Sequence, residues 1–331
     1  MKINLKTLFK KVGFLSLLGF YLFNGLVALC YIMPWFKEWV LIEDPMLFMP
    51  RWLVFFFLIP VLLLDHTLLF RQKYLFLPIL FFTTFFYLNV QIPNLFTSSE
   101  PSAAQLRVMS VNLGGLKGEK FKISAQIKYG KPNIIAFQET GKAIVEKLVP
   151  KNWQIHCSTY MCFASQYEME FINRQNRTIL GGWGTVAALY RVNVNGRSIY
   201  VANIHFETPR KGFDDIELMK LNFKSMLTFF EQRYYEALIV DSWVSNKSPL
   251  IIMGDFNMTV ESSIYREYFG KFKNTFNEKG FGLGHTKFTK RHGVRIDHIL
   301  VDEHFTTANA WVDEDVGSDH RPIYADLLLD D

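Results

Sequence analysis

The stretch "GSDHRPI", residues 317–323, runs into the apolar segment "IYADLLL" at 323–329 and sets an aspartate beside a histidine at the start of a β-rich run. Asp319 and His320 fit a turn, because Asp readily hydrogen-bonds its own backbone. They equally fit acid/base chemistry, because imidazole is the side chain that changes charge nearest neutral pH. The choice depends on what the rest of the chain places beside them.

Five further short, apolar, β-rich runs precede this one: "RVMSV" at 107–111, "IIAF" at 134–137, "IYVANI" at 199–204, "PLIIM" at 249–253 and "HILV" at 298–301. Helical patterns alternate with them, clearest at 215–239, where apolar residues recur every three or four positions, so residues 105–331 read as one mixed α/β domain. A polar residue suited to metal or acid/base chemistry stands at an end of each strand. Asn112 closes the first, Glu139 follows the second, His205 the third, and Asp255 with Asn257 the fourth; Asp297 precedes the fifth, and Asp319 with His320 the sixth. With the last two strands antiparallel to the others, all of these groups meet at one edge of the sheets. Each alone has an ordinary reading, "GDFN" as an Asx turn or His205 as a hydrogen-bonded core histidine, but six such strand ends together point to a catalytic site.

The N-terminal 93 residues differ in kind. The chain is 50% hydrophobic with 32 phenylalanines, and much of that excess lies in three apolar stretches at about 12–35, 50–70 and 74–92, each near the roughly 20 residues that span a bilayer. Three transmembrane helices are expected. A cleaved signal peptide fits less well, because the first stretch outruns an h-region and no small-residue cleavage site follows it. Lys2, Lys6, Lys10 and Lys11 before the first span and "RQK" at 71–73 between the second and third belong on the cytoplasmic side. An odd number of spans then carries everything after a Ser/Pro/Ala linker at 94–104 to the extracytoplasmic side.

The net charge of +5 suggests a nucleic-acid binder until it is divided by region. Residues 1–103 hold 8 Lys and Arg against 5 Asp and Glu, leaving 28 against 26 in the outer domain, a weak footprint for DNA or RNA. Local basic clusters remain at Arg210–Lys211 and among Lys287, Lys290, Arg291 and Arg295. Of the three cysteines, Cys30 lies in the first span; Cys157 and Cys162, outside the cytosol on this topology, are open to two readings, a small-loop disulfide or two buried thiols. No Cys/His spacing supports a zinc site.

Taken in order, "VMSVNLGG", "IIAFQET", "VANIHFE", "IIMGDFN", "RIDHIL" and "GSDHRPI" resemble the endonuclease/exonuclease/phosphatase superfamily, which includes pancreatic deoxyribonuclease, exonuclease III, neutral sphingomyelinases and inositol polyphosphate 5-phosphatases. The resemblance covers 105–329 and none of the membrane segment. It implies a four-layer α/β sandwich, two packed β-sheets flanked by helices, and hydrolysis of phosphate esters with Mg²⁺ or Mn²⁺. Carried over by position, it implies Glu139 as principal metal ligand with Asn112 beside it and Asp319 on the metal side. His320, oriented by Asp297, becomes general base or phosphate-binding cation; Asp255 and Asn257 position the water and phosphoryl oxygen; His205 donates to the phosphate or leaving oxygen. Arg210 in "HFETPRKG" and Thr286 in "GHTKF" are candidates for substrate contact, as is His298 in "RIDHIL", which either lines the cleft or simply packs.

The expected function is a membrane-anchored, extracytoplasmic phosphodiesterase whose phosphoester substrate is a lipid headgroup, since tethering raises the effective concentration of membrane substrates. An anchored endo- or exonuclease acting on external DNA or RNA and a non-catalytic phosphate-binding receptor are the alternatives. The lipid bilayer is the expected partner, and no obligatory protein partner is evident.

Overall fold

The computed structural model describes residues 5–32, 37–93, 106–114, 120–210, 212 and 223–330. The expected linker at 94–104, Lys211 and the first turns of the helix expected at 215–239 lie outside these. The chain divides into two compact units, Met1–Val90 and Gln91–Asp331.

In the first unit, the helix Leu5–Ile32 (28 residues) is, among the described residues, the one helix long and apolar enough by itself to cross a membrane. The expectation of three continuous spans is corrected here. The second stretch belongs to a pair, Val40–Phe48 and Arg51–Leu64, bent by 89°. Pro50 accounts for the bend: it has no N–H for the helix ladder and forces Met49 into extended backbone (φ −71, ψ 166). The third stretch gives a helix Lys73–Phe82 (10 residues) continued by a π-helical turn Thr83–Tyr87 (5 residues). At about 1.5 Å per residue that is roughly 22 Å, short of the roughly 30 Å hydrocarbon core.

The second unit contains two packed, mixed β-sheets flanked by helices. One six-stranded sheet takes β1 (Leu106–Asn112), β2 (Ile134–Gln138), β3 (Gln154–Ser158) and β4 (Met161–Ser165), then β13 (Phe305–Val312) and β14 (Ile323–Leu329), in the order β13-β14-β1-β2-β4-β3. The other takes β5 (Met169–Asn176), β6 (Thr185–Val194), β7 (Arg197–His205), β8 (Leu250–Asp255), β9 (Lys273–Asn274) and β12 (Asp297–Val301), in the order β5-β6-β7-β8-β12-β9. A ribbon of β10 (Lys287–Phe288) and β11 (Gly293–Val294) stands apart.

The near-continuous apolar character of the central strands follows from burial on both faces. Along β1, β2 and β14, Val108, Ile134, Ala136, Ile323 and Ala325 face the other sheet and pack with Val201, Ile251, Met253 and Ile299. The alternate residues Met109, Val111, Ile135, Phe137 and Tyr324 pack with Ile123, Ile127, Val145 and Leu148 of the helices Lys120–Gly130 and Lys142–Leu148. The long helix Phe223–Val244 buries Met226, Phe230, Ala237, Val240 and Val244.

Polar residues interrupt the apolar layer between the sheets, Gln138 and Asn203 among them. Gln138 donates through Nε2 to Asn203 Oδ1 at 2.8 Å, and Asn203 Nδ2 returns to the carbonyl of Cys162 at 3.0 Å, so β2 and β4 are pinned to β7 across the sandwich. Cys157 and Cys162 stand opposite each other in the β3–β4 hairpin and form a disulfide, which settles the question left open by sequence.

Candidate active site

Strand direction assembles the site. β1 and β2 are parallel, as are β7 and β8, whereas β14 and β12 run against them. The C-terminal ends of four strands and the N-terminal ends of two therefore share one edge. In the second sheet the register is tight: His205 is level with Asp255, and Asp255 with Asp297, across three adjacent strands. Gly254 permits this approach, since a Cβ at that position would lie 2.0 Å from the carbonyl oxygen of Ile204 at a φ of +149°.

Glu139 leaves β2 in the left-handed region (φ 52°), as does Asn257 after β8 (φ 49°). Asn tolerates that conformation; for Glu it costs on the order of 1 kcal/mol and marks a position fixed by its surroundings. The turn throws the Glu139 carboxylate clear of the strand, where Oε1 accepts from Asn112 Nδ2 at 2.9 Å and lies 3.5 Å from His205 Nε2. Asn112 Nδ2 also donates to Asp255 Oδ2 at 3.0 Å, so one amide joins a carboxylate from each sheet. Asp255 Oδ1 accepts from the Asn257 backbone N–H at 2.8 Å, and Asn257 Nδ2 donates to the Phe206 carbonyl.

His320 arrives from β14's side, its Nδ1 2.8 Å from Asp297 Oδ2 and its Nε2 3.7 Å from Asp255 Oδ2. Burial disfavours the imidazolium, yet the charges of Asp297 and Asp255 outweigh it and raise the His320 pKa above its ordinary 6.5. Asp255 is pushed up to about 7, first by burial and then by Asp297, against the pull of His320 and its hydrogen bonds. His205 is driven down to about 3 by burial, reinforced by Arg177 and His320, which favours its neutral imidazole form. Asp319 pairs with Lys287, and although burial opposes it, that lysine with His320 and Arg210 lowers its pKa.

Of the residues expected from sequence, Asn112, Glu139, His205, Asp255, Asn257, Asp297, Asp319 and His320 converge, and Arg210 is exposed and close enough to act on Asp319. Two candidates for substrate contact are placed differently. Thr286 is fully buried and its hydroxyl accepts from the backbone N–H groups of Ile296 (3.2 Å) and Asp297 (3.0 Å), so it braces Asp297 from behind. His298, also fully buried, points to the opposite face of β12 because side chains alternate along a strand. Its Nε2 lies 3.0 Å from the Met258 carbonyl and its ring packs on Phe256 and Tyr265.

Sequence reading missed the support behind His205. Arg177 donates to the His205 carbonyl and through Nε to Glu236 Oε1 at 2.7 Å, while Glu236 Oε2 accepts from the Glu207 backbone N–H at 2.7 Å. Burial pushes Glu236 up to about 7 in spite of Arg177. Neither residue ends an apolar strand, so the pattern that exposed the others passes over them. Ser318 is a smaller omission: its hydroxyl donates to the Asn112 carbonyl at 2.9 Å and accepts from the His320 N–H at 3.1 Å, coupling the end of β1 to the segment that enters β14.

Glu139, His205 and Asp255 each offer an atom within 4.8 Å of the others, a spacing that one cation can bridge; Asp255, Asp297 and His320 form a second such group, and Asp302, Glu303 and His304 a third. Asp319 joins neither of the first two among the described residues.

Two mixed sheets with acids and imidazoles gathered along one edge define an α/β sandwich of hydrolytic type. The chain belongs to the Endonuclease/Exonuclease/phosphatase family, whose sequence model matches residues 109–320. Members of that family are metal-dependent hydrolases of phosphoester bonds. Among solved structures, the unit is similar to a humanized D. rerio TDP2 (15% identity, TM-score 0.51, 67% of this chain and 98% of that one). It is also similar to the Bacteroides thetaiotaomicron mannosyl-6-phosphatase Bt3783 (17%, 0.50, 68% and 100%) and to an endonuclease/exonuclease/phosphatase from Beutenbergia cavernae (16%, 0.52, 68% and 72%). At these identities the likeness extends to the fold. Among curated proteins, none matches the chain.

Proposed function

We propose that residues 105–331 are a divalent-metal-dependent phosphodiesterase, anchored by the apolar N-terminal unit with its site on the extracytoplasmic side, acting on a phosphoester such as a lipid headgroup. The observation that carries this reading is the meeting of Asn112 and Glu139 from one sheet with His205, Asp255 and Asp297 from the other around His320. A phosphate-binding receptor has no need of a buried acid/base pair beside a carboxylate cluster.

The donor set suits Mg²⁺ or Mn²⁺. The Glu139 side chain is 41% exposed and oxygen-bearing, its neighbours offer further hard oxygens, and few protein ligands leave room for waters and phosphate. Glu139 would hold the ion with Asn112 beside it; Asp319, committed to Lys287, would act through the His320 side of the site. A bound Mg²⁺ or Mn²⁺ supplies charge stabilisation at the phosphoryl oxygens. The chain supplies the rest. His320 takes a proton from the attacking water, Asp297 fixes its tautomer and orientation, and Asp255 with Asn257 holds that water and a phosphoryl oxygen in line. His205, neutral, donates a hydrogen bond to the phosphate or leaving oxygen.

Anchoring is supported by the helix Leu5–Ile32, and sidedness by Lys2, Lys6, Lys10 and Lys11 at its N-terminal end. The deciding experiment is hydrolysis by purified full-length protein of phospholipids, sphingomyelin, nucleic acids and inositol phosphates, with and without Mg²⁺, with Glu139→Gln and His320→Ala as controls. Metal-dependent release from a diester, lost in both variants, is expected; turnover unaffected by chelator or by either variant would overturn the reading. A reporter joined after residue 331 that works only in the cytosol would overturn the sidedness.

A further inference from the structure

Two aromatic side chains stand in solvent at the same sheet edge, one delivered by each sheet. Tyr160 is 60% exposed at the tip of the β3–β4 hairpin, and Trp183 is 69% exposed in the "GGWG" segment that enters β6; their ring centroids are 5.5 Å apart with planes tilted by 59°. Solvation of two large rings at one spot runs against the hydrophobic effect, which would hide them in the absence of a use.

Both are held rather than left loose. Thr159 and Tyr160 carry positive φ values (37° and 62°), the two-residue turn that suits a hairpin's twist, and the Cys157–Cys162 disulfide closes its base. The Tyr160 carbonyl accepts from the N–H of Thr140, the residue after Glu139, at 2.9 Å. Trp183 rides on a loop folded around Arg177: the Gly182 N–H donates to the Arg177 carbonyl at 3.0 Å and the Arg177 N–H to the Gly184 carbonyl at 2.9 Å. The same arginine holds the His205 carbonyl. The aromatic pair is thus fastened to Glu139 on one side and to His205 on the other.

We propose that Tyr160 and Trp183 form a binding notch for a polar ring esterified to the phosphate, a sugar or nucleobase that stacks its face on one ring and meets the other edge-on. Both rings are more than half exposed, so each leaves surface open to a third ring, which stacked or edge-to-face contact would use. The indole N–H and the phenol, which have no hydrogen-bond partner among the described residues, offer polar contacts at the rim. A lipid surface or acyl chain would gain little from two polar-edged rings set at an angle, whereas a ring with an apolar face and polar edges uses both. The notch deepens the phosphoesterase reading by naming the class of group that the phosphate carries.

The test measures binding, so it does not require turnover. Saturation-transfer NMR and competition titrations of full-length protein in detergent micelles would compare glucose 6-phosphate, adenosine 5′-monophosphate and the ringless glycerol 3-phosphate, with wild type, Trp183→Ala and Tyr160→Ala. At least one ring ester is expected to bind roughly 5-fold or more tightly than glycerol 3-phosphate, and Trp183→Ala to remove that advantage while leaving glycerol 3-phosphate unchanged. The two ring esters separate a sugar notch from a nucleobase notch. Equal binding of ring and ringless esters, equal weakening of all three by Trp183→Ala, or no binding of either ring ester at millimolar concentration would overturn the notch. Ring-dependent binding without hydrolysis of any ester would leave the notch standing and remove the enzymatic reading; hydrolysis without a Trp183-dependent ring preference would do the reverse.

Discussion

Asp297 lies directly across from Asp255 in the β8–β12 ladder, two carboxylates 1% exposed on neighbouring strands. Like charges in that position repel, and the only arrangement that tolerates them puts a proton or a cation between. His320 fills that place, one nitrogen toward each acid. The raised pKa of His320 and that of Asp255 at about 7 are two expressions of the same proton shared by a crowded trio.

Because Asp297 acts through His320, the two should not contribute independently. His320→Ala is expected to lower activity by about 10² to 10⁴-fold, as general acid/base losses do. Asp297→Asn should fall in the same range, and the double variant should lose little more than either single. Multiplicative losses in steady-state kinetics would show that the dyad does not operate as a unit.

Glu139→Gln keeps the shape and removes the charge that attracts a cation, so activity should fall by orders of magnitude. Partial recovery at raised Mg²⁺ or Mn²⁺ is expected here and not in His320→Ala. A metal titration in which the two variants respond alike would contradict the division of labour.

Thr286→Val should lower stability by about 1–3 kcal/mol, because it strips the acceptor from two buried N–H groups. Activity should fall with it, through the loosening of Asp297, and Thr286→Ser should restore both. Denaturant titration and kcat of the three proteins check this together.

Arg177→Met strands the Glu236 carboxylate without its cation, and breaking a buried pair from one side costs roughly 3–5 kcal/mol. Adding Glu236→Gln should recover a substantial part of that loss. A double variant as unstable as the single would show that packing, not charge, sets the cost.

Burial, aided by Arg295, holds His298 down to about 4, against 6.5 when unfolded. A depressed pKa contributes stability that is whole above 6.5 and is lost as pH falls through about 4, at up to about 1.4 kcal/mol per pH unit. Between pH 7 and 5, wild-type protein should therefore lose more stability than His298→Gln, in thermal unfolding with chelator present. Parallel losses in the two proteins would contradict it.

The strand ends were legible from sequence because each catalytic candidate interrupts a run whose apolar character the sandwich requires; Asn112, Glu139, His205, Asp255, Asp297 and His320 all announce themselves this way. Thr286 and His298 were misplaced because alternation along a strand, and the backbone donors behind it, cannot be read without knowing which face is covered. Arg177 and Glu236 were invisible for a different reason: they meet across 59 residues, and nothing local distinguishes a buried ion pair from two solvated charges. The apolar stretches at 50–70 and 74–92 have enough hydrophobic residues for spans, and hydropathy alone did not register how Pro50 would divide one and how short the regular helix in the other would be.

The polar pin between Gln138 and Asn203 bears on what sort of change this protein can absorb. An apolar layer alone would let the two sheets slip past each other by a fraction of a side chain, repacking as they went, with little penalty. The amide pair gives that sliding coordinate a single minimum, one residue before Glu139 and two before His205. Well-fitted apolar replacements there can leave the melting behaviour intact while the halves of the catalytic edge drift out of alignment. Tolerance to mutation, judged by folding, and competence, judged by chemistry, would then part company at a position that touches no substrate.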